Sequence, residues 1–244
     1  MDSKVYERLN QIELEHWWFV GRRRILMAAL VRFCNLQSSI RILEAGVGTG
    51  GNIAMLQRLG TLYGFECNAQ ARKLATEKTG FTVAYGALPN DIPFADEAFD
   101  LICLFDVLEH IEQDSESLSS LSKRLAPGGR IVLTVPAYPW LWSQHDITHH
   151  HFRRYTRKSL QETVSRANLK VEQFFNFNVF LMPLIMVVRG LKRLSGSQEA
   201  DDGLPSSILN GTLCKIFAAE RHLIGRIPMP IGVSLGAVIK LGED

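Results

Sequence analysis

The chain has 244 residues, 46% hydrophobic and 21% charged, with a formal net charge of +2 at pH 7. That length suits one full-sized domain around a large core, and the composition excludes collagenous, low-complexity and disordered classes. Near-balanced charge carries no nucleic-acid signature, and Cys34, Cys67, Cys103 and Cys214 form no CxxC pair, hence neither a disulfide framework nor a zinc site.

Residues 1–36 read as a helical N-terminal lid, with Leu26, Leu30 and Phe33 recurring at i, i+4 and i+7. Before them stand His16-Trp17-Trp18-Phe19 and Arg22-Arg23-Arg24. The opening residues lack a signal-peptide apolar run. The longest uncharged stretch, between Glu172 and Arg189, contains Pro183 and is shorter than the ~20 residues of a spanning helix. The expectation is a reduced, cytoplasmic protein, with contact at the inner face of a membrane left open.

Five continuous apolar runs follow: Ile40–Ala45, Thr61–Glu66, Phe81–Tyr85, Phe99–Phe105 and Arg130–Val135. Continuous rather than alternating runs suit parallel strands covered on both faces. Helices are expected between them. Ile53, Leu56 and Leu59 form one face closed by Gly60; Asn68 caps a second helix that ends at Gly80; Asp114 caps a third carrying Leu118, Leu121 and Leu125. Residues 37–176 thus predict an α/β, doubly wound, Rossmann-like core with a mostly parallel seven-stranded sheet. Within it, 136–156 form a polar, histidine-rich insertion. Thr156 caps a helix carrying Leu160 and Val164, and Leu169–Phe175 is a further strand. Residues 177–230 form a helical cap, with 177–194 a short Pro-containing amphipathic helix, 195–207 a loop and Ser207–Ile224 helical. Residues 231–244 return as a final strand.

The turn after the first strand, Glu44-Ala45-Gly46-Val47-Gly48-Thr49-Gly50-Gly51, places glycines where a ligand approaches the carboxyl edge of such a sheet. Gly46, Gly48 and Gly51 satisfy the dinucleotide fingerprint GxGxxG; Gly46, Gly48 and Gly50 satisfy GxGxG. Glu66, ending the second strand, suits a ribose in either case. Glu44 would repel a pyrophosphate but suits a ligand bearing an ammonium and a sulfonium.

Five motifs in order resemble the class I S-adenosylmethionine-dependent methyltransferases of the quinone-biosynthesis-like (type 11) group. They are Ile42–Gly50; Gly64-Phe65-Glu66; Leu88-Pro89 through Asp100; Asp106-Val107-Leu108-Glu109-His110; and Leu125-Ala126-Pro127-Gly128-Gly129. The resemblance implies S-adenosylmethionine as cofactor and S-adenosylhomocysteine as product. Gly46, Gly48 and Gly50 would line its methionine part, with Glu44 reaching the ammonium through hydrogen bonds or water. Glu66 would hold the ribose and Cys67 lie by the adenine. Phe105 and Asp106 would face the methyl donor. Where the family commonly has an Asp after a glycine, Gly86 is followed by Ala87 and Leu88, so adenine recognition leans on backbone and apolar contacts. His16-Trp17-Trp18 with Arg22 and Arg23 resembles the group's lid, with Arg22 or Arg23 pairing the methionine carboxylate; core packing by the tryptophans with the arginines on a solvated helix face is the alternative. Glu109-His110 reads as structural.

The histidine-rich stretch is read as a substrate lid. The pattern Asp146-x4-His151-x-Arg153-Arg154-Tyr155 resembles a feature of one methyltransferase subgroup. His151, with Asp146 and Tyr155, is the candidate catalytic set. Trp18, Trp142, His149, Arg153 and Arg154 are candidate substrate contacts, the arginines for an anionic group. A metal cluster at His149–His151 is disfavoured because adjacent side chains cannot all point one way, and no metal is expected; a solvated loop is the third reading. Phe174–Val188 followed by Arg189, Lys192 and Arg193 serves as core, as the cover of a hydrophobic channel, or at a membrane interface.

The reading is methyl transfer to a small or lipid-linked acceptor, at oxygen. The alternatives are a nicotinamide-dinucleotide oxidoreductase and a non-catalytic or RNA-directed member of the fold.

Overall fold

A computed structural model describes residues 3–34, 36, 39–195 and 203–242. One sheet contains β1 (Ile40–Ala45), β2 (Gly60–Glu66), β3 (Ala84–Tyr85), β4 (Phe99–Phe105), β5 (Leu125–Pro136), β6 (Leu169–Phe177) and β7 (Ser234–Leu241). Its order is β3-β2-β1-β4-β5-β7-β6. Only β7 runs against its neighbours, pairing antiparallel with both β5 and β6. The strand order reverses between β1 and β4, which is where open α/β sheets bind ligands.

The apolar runs are continuous because both faces of the sheet are covered. Ile42, Leu101, Cys103 and Val132 share one face with Leu26 and Leu30 of helix α2 (Trp17–Phe33). Leu43, Ile102, Leu104 and Leu133 turn to the other. There they meet Leu118 and Leu121 of α5 (Asp114–Ser122) and Leu160 and Val164 of α7 (Arg157–Arg166). The remaining helices are α1 (Ser3–Ile12), α3 (Ile53–Leu56), α4 (Ala69–Thr79), α6 (Gln144–Thr148), α8 (Met182–Ser195) and α9 (Ser207–Ala219). Asn68 caps α4 by accepting from the Ala71 amide, and Gly80 ends it at φ 71°. Thr156 caps α7 through reciprocal bonds with Ser159. Pro183 falls in the first turn of α8, where its missing N–H leaves no helical bond unmade.

Four expectations need correction. Gly60 does not close a helix: α3 stops at Leu56, and Gly60 starts β2 opposite Ile40. A Cβ there would overlap the Ile40 carbonyl oxygen, so close strand approach is what requires glycine. Asp114 is not a cap but the first residue of α5, after Gln113, with its carboxylate turned inward. Leu125 lies in β5, opposite Phe99. The run at Phe81–Tyr85 yields a strand of only two residues, Ala84–Tyr85. Of the loop expected at 195–207, residues 196–202 lie outside the described residues.

Gly60→Ala is expected to destabilise the fold by about 1–3 kcal/mol or more through overpacking against backbone. Chemical denaturation measures this; an unchanged midpoint would contradict the close approach.

Candidate active site

The carboxyl ends of β1, β2, β4 and β5 open into a cavity of about 880 Å³, within the usual range for small-molecule sites. Its floor is the turn after β1. Gly46 (φ 76°) and Gly48 (φ 57°) adopt the left-handed backbone that the turn demands, and both line the cavity. The Gly46 amide donates to the Phe65 carbonyl at 2.9 Å, tying the turn to β2. Glu66 locks it from the side, accepting from the Gly48 amide at 3.0 Å and the Asn68 amide at 2.9 Å. The Cys67 thiol reaches the same carboxylate at 3.3 Å, and burial with the Glu66 charge raises its pKa. Ala87 and Leu88 border the cavity where Ala87 and Asp91 exchange two 2.7 Å backbone bonds.

Two glycine-turn residues sit elsewhere than expected. Gly50 (φ 91°) does not line the cavity; its Cβ position packs against Ile53 and Ala75, so it serves helix packing. Glu44 lies one layer behind the wall. It is buried, and its Oε1 accepts from Asn52 at 2.8 Å. Its Oε2 has no hydrogen-bond partner in the structure. Asn52, which does border the cavity, was missed by sequence reasoning. Burial pushes the Glu44 carboxyl up to about 8, against the Asn52 hydrogen bond and the Arg22 charge. So raised, the carboxyl stays largely protonated near pH 7, and it acts on a ligand in the cavity by holding Asn52 at the wall.

The side facing α2 carries Arg22, which is buried and 2.5 Å from Asp106 and 3.3 Å from the Thr134 hydroxyl. Its guanidinium carbon stands 5.2 Å from the Trp18 ring centroid and 5.7 Å from that of Phe105. Asp106 itself turns through φ 56° just past β4. Trp18, Arg22, Phe105 and Asp106 all line the cavity.

The insertion after β5 supplies the opposite wall. Asp146 is wholly buried. It accepts from Arg154 at 2.7 and 2.9 Å, from the Ser143 amide at 2.8 Å, and lies 2.9 Å from Nδ1 of His151. Burial opposes its charge, but the hydrogen bonds from His151 and Arg154 outweigh it and hold the carboxyl well below the usual range. Asp146 is therefore a fixed anion and not itself a base. His151 lines the cavity, with the His110 ring 4.6 Å away, edge to face. Burial and the neighbouring His151 and His149 push His110 down to about 3, so it is neutral. Burial and nearby Asp106 raise Glu109 well above an ordinary carboxyl. Glu109, His110 and His151 bring one donor atom each within 4.8 Å of one another, a spacing that a divalent ion also uses. The reading of Glu109-His110 as structural overlooked that both border the cavity.

The structure places one expected catalytic residue, Tyr155, and several expected substrate contacts away from the cavity or in other bonds. Tyr155 is buried in the core, donating to Asp114 at 2.9 Å, and does not reach the cavity. Arg153 pairs with Asp114 at 2.8 Å and donates to the Glu112 carbonyl. Arg154 touches the cavity, but its Nε and Nη2 donate to Asp146 and its Nη1 to the Ala137 carbonyl. Trp142 lies off the cavity wall, whereas His149 lines it. Sequence reasoning also missed Glu13. Just past α1, its carboxylate accepts from Thr49 at 2.7 Å and pairs with Lys78, tying the N-terminal helices to the glycine turn.

Residues 19–173, well over half of the chain, match the family described as "Methyltransferase domain". The chain belongs to that family, and its fold is the Rossmann-like one of the class I methyltransferases. It is 24% identical over 144 residues to a demethylmenaquinone methyltransferase of Tropheryma whipplei, covering 56% of each chain. It thus spans just over half the length of that relative. A solved complex of the Haloferax volcanii Trm112 methyltransferase activator with a methyltransferase is similar in fold (TM-score 0.64, 16% identity, 99% of this chain and 96% of that one). So is magnesium protoporphyrin IX methyltransferase from Synechocystis, solved with bound S-adenosylhomocysteine (TM-score 0.55, 17% identity, 71% of this chain and 88% of that one). The family match decides against the dinucleotide oxidoreductase.

Because folded Glu44 holds its proton more tightly than the unfolded chain does, its stabilising effect is full below 4.5 and is lost as pH rises toward about 8. Glu44→Gln removes that loss. Melting curves between pH 5 and 9 should then show a shallower fall in Tm; an unchanged slope would contradict the burial of this charge.

Proposed function

We propose that the enzyme methylates a hydroxyl oxygen of a small or lipid-linked acceptor, with His151 as general base. The observation that carries this is the His151–Asp146 pair on the wall of the cavity whose floor is the glycine turn. S-adenosylmethionine supplies a methyl group on a sulfonium, which needs only an in-line nucleophile. The turn at Gly46 and Gly48 holds its amino-acid portion, with the buried Glu44 behind Asn52. Glu66 takes the ribose, and Cys67, Ala87 and Leu88 border the base. Arg22 and Asp106 stand at the reacting end.

Because Asp146 stays ionised, Nδ1 of His151 carries the proton and Nε2 is the basic atom. A hydroxyl brought against Nε2 gives up its proton there as the oxygen turns nucleophilic. Arg22, Arg153 and Arg154 are each committed to a carboxylate of the protein, so none of the three serves as the cation for a carboxylate acceptor. Trp18, Phe105 and the lid latch at Glu13 keep water from the reacting atoms.

Two variants test the division of labour. Glu66→Ala should weaken S-adenosylhomocysteine binding by about 10–100-fold in calorimetry, the loss of one or more charge-assisted hydrogen bonds; unaltered affinity would remove Glu66 from the site. His151→Ala should leave that affinity intact. It should lower label transfer from a tritiated methyl donor to phenols, quinols or hydroxylated lipids by roughly 10²–10⁴. Equal turnover in His151→Ala, or label found on carbon or nitrogen, would overturn the oxygen-base reading.

A further inference from the structure

We propose that α8 docks this enzyme on an anionic lipid bilayer and sets the mouth of its cavity against the lipid. The inner side of the helix is accounted for: Met182 and Ile185 pack with Leu141, Val233 and Tyr138, and Arg189 donates to the Leu141 carbonyl at 2.8 Å. The outer side is not. Leu184, Val187, Val188 and Leu191 follow one another at i, i+3, i+4 and i+7, one stripe of the helix, and are 51%, 59%, 37% and 61% exposed. No described residue covers them. Exposed Phe180, Trp140 and Ile231 flank the same region, Trp140 stacked on Tyr138, whose hydroxyl bonds to the Pro230 carbonyl. A contiguous apolar stripe of this kind marks an interaction surface.

Charge selects the occupant. With Arg189 turned to the Leu141 carbonyl, the sequence of α8 still carries Lys192 and Arg193 in its last turn and no acidic residue. Apolar residues with nearby cations on one helix suit the headgroup boundary of an anionic membrane. The helix is also continuous with the active site: Leu184, Ile185 and Val188 line the cavity that holds Glu66 and His151. No helix among the described residues is long and apolar enough to cross a membrane, so the contact is one of lying on the surface. The link from docking to catalysis rests on the proposed function, since it takes this cavity to be the acceptor's.

The experiment is vesicle flotation of the full chain, with phosphatidylcholine alone and with phosphatidylglycerol added. S-adenosylhomocysteine affinity is measured on the same preparations to report the fold. Wild type should float with the anionic vesicles and not with neutral ones, less so at high salt. Val187→Glu combined with Leu191→Glu should lower that binding by about tenfold or more, and Lys192→Glu combined with Arg193→Glu should weaken it, both with cofactor affinity unchanged. Docking is overturned if wild type floats with neither vesicle or if the Val187/Leu191 variant floats as well as wild type. It is also overturned if light scattering finds a dimer that this variant splits, since the stripe is then a self-interface. Flotation as expected, from a wild type that fails to bind S-adenosylhomocysteine, would support docking and count against the methyl-donor reading alone.

Discussion

The carboxylate of Asp146 sits in the middle of a segment rich in histidine and arginine, with no exposure to water. A charge buried that deeply is tolerable only if hydrogen bonds replace its solvent. Here the Arg154 guanidinium grips both oxygens, the Ser143 amide caps one, and Nδ1 of His151 meets the other. Those bonds dictate the path of residues 143–154, and that path turns the His151 ring to the cavity. Arg154 then extends the tie to the Ala137 carbonyl, at the end of β5. A second buried acid, Asp114, repeats the device one layer away, taking Tyr155, Thr163 and Arg153. His151, the proposed base, is thus positioned by a network anchored to the sheet and to α5, not by a free loop.

The N-terminal helices use the same economy of charge. Arg22 on α2 meets Asp106 at the end of β4, between the rings of Trp18 and Phe105, and Glu13 meets Thr49 and Lys78. Both contacts join the N-terminal helices to the elements that form the cavity floor. The cavity they border keeps an apolar side, made in part by α8, through which the proposed acceptor would enter.

Much of the fold was legible because burial on both faces leaves a plain mark on the sequence. The runs at Ile40–Ala45 and Phe99–Phe105 are β1 and β4 to the residue, and Asn68 and Gly80 bound α4 as their side-chain chemistry requires. Gly60 misled because a glycine after Leu56 and Leu59 resembles a helix end, whereas its reason lies across the sheet at Ile40. In the site, Gly46, Gly48 and Glu66 could be picked out from their places at the strand ends, and the Asp146–His151 pair from the resemblance to a methyltransferase subgroup. The roles of Arg153, Arg154 and Tyr155 could not, since an arginine reads as free until its carboxylate is known, and Asp114 lies far upstream. Glu13 left no signal at all: its partners are Thr49 and Lys78, joined to it only by the fold.

The central claim is that one cavity holds the methyl donor on the glycine turn and faces it with His151. A crystal structure of the full chain with S-adenosylhomocysteine tests it most directly. The account predicts the ligand along Gly46 and Gly48, its ribose hydroxyls on Glu66, and its sulfur open toward the His151 side of the cavity. A ligand bound outside this cavity, or one whose sulfur is walled off from His151, would contradict it.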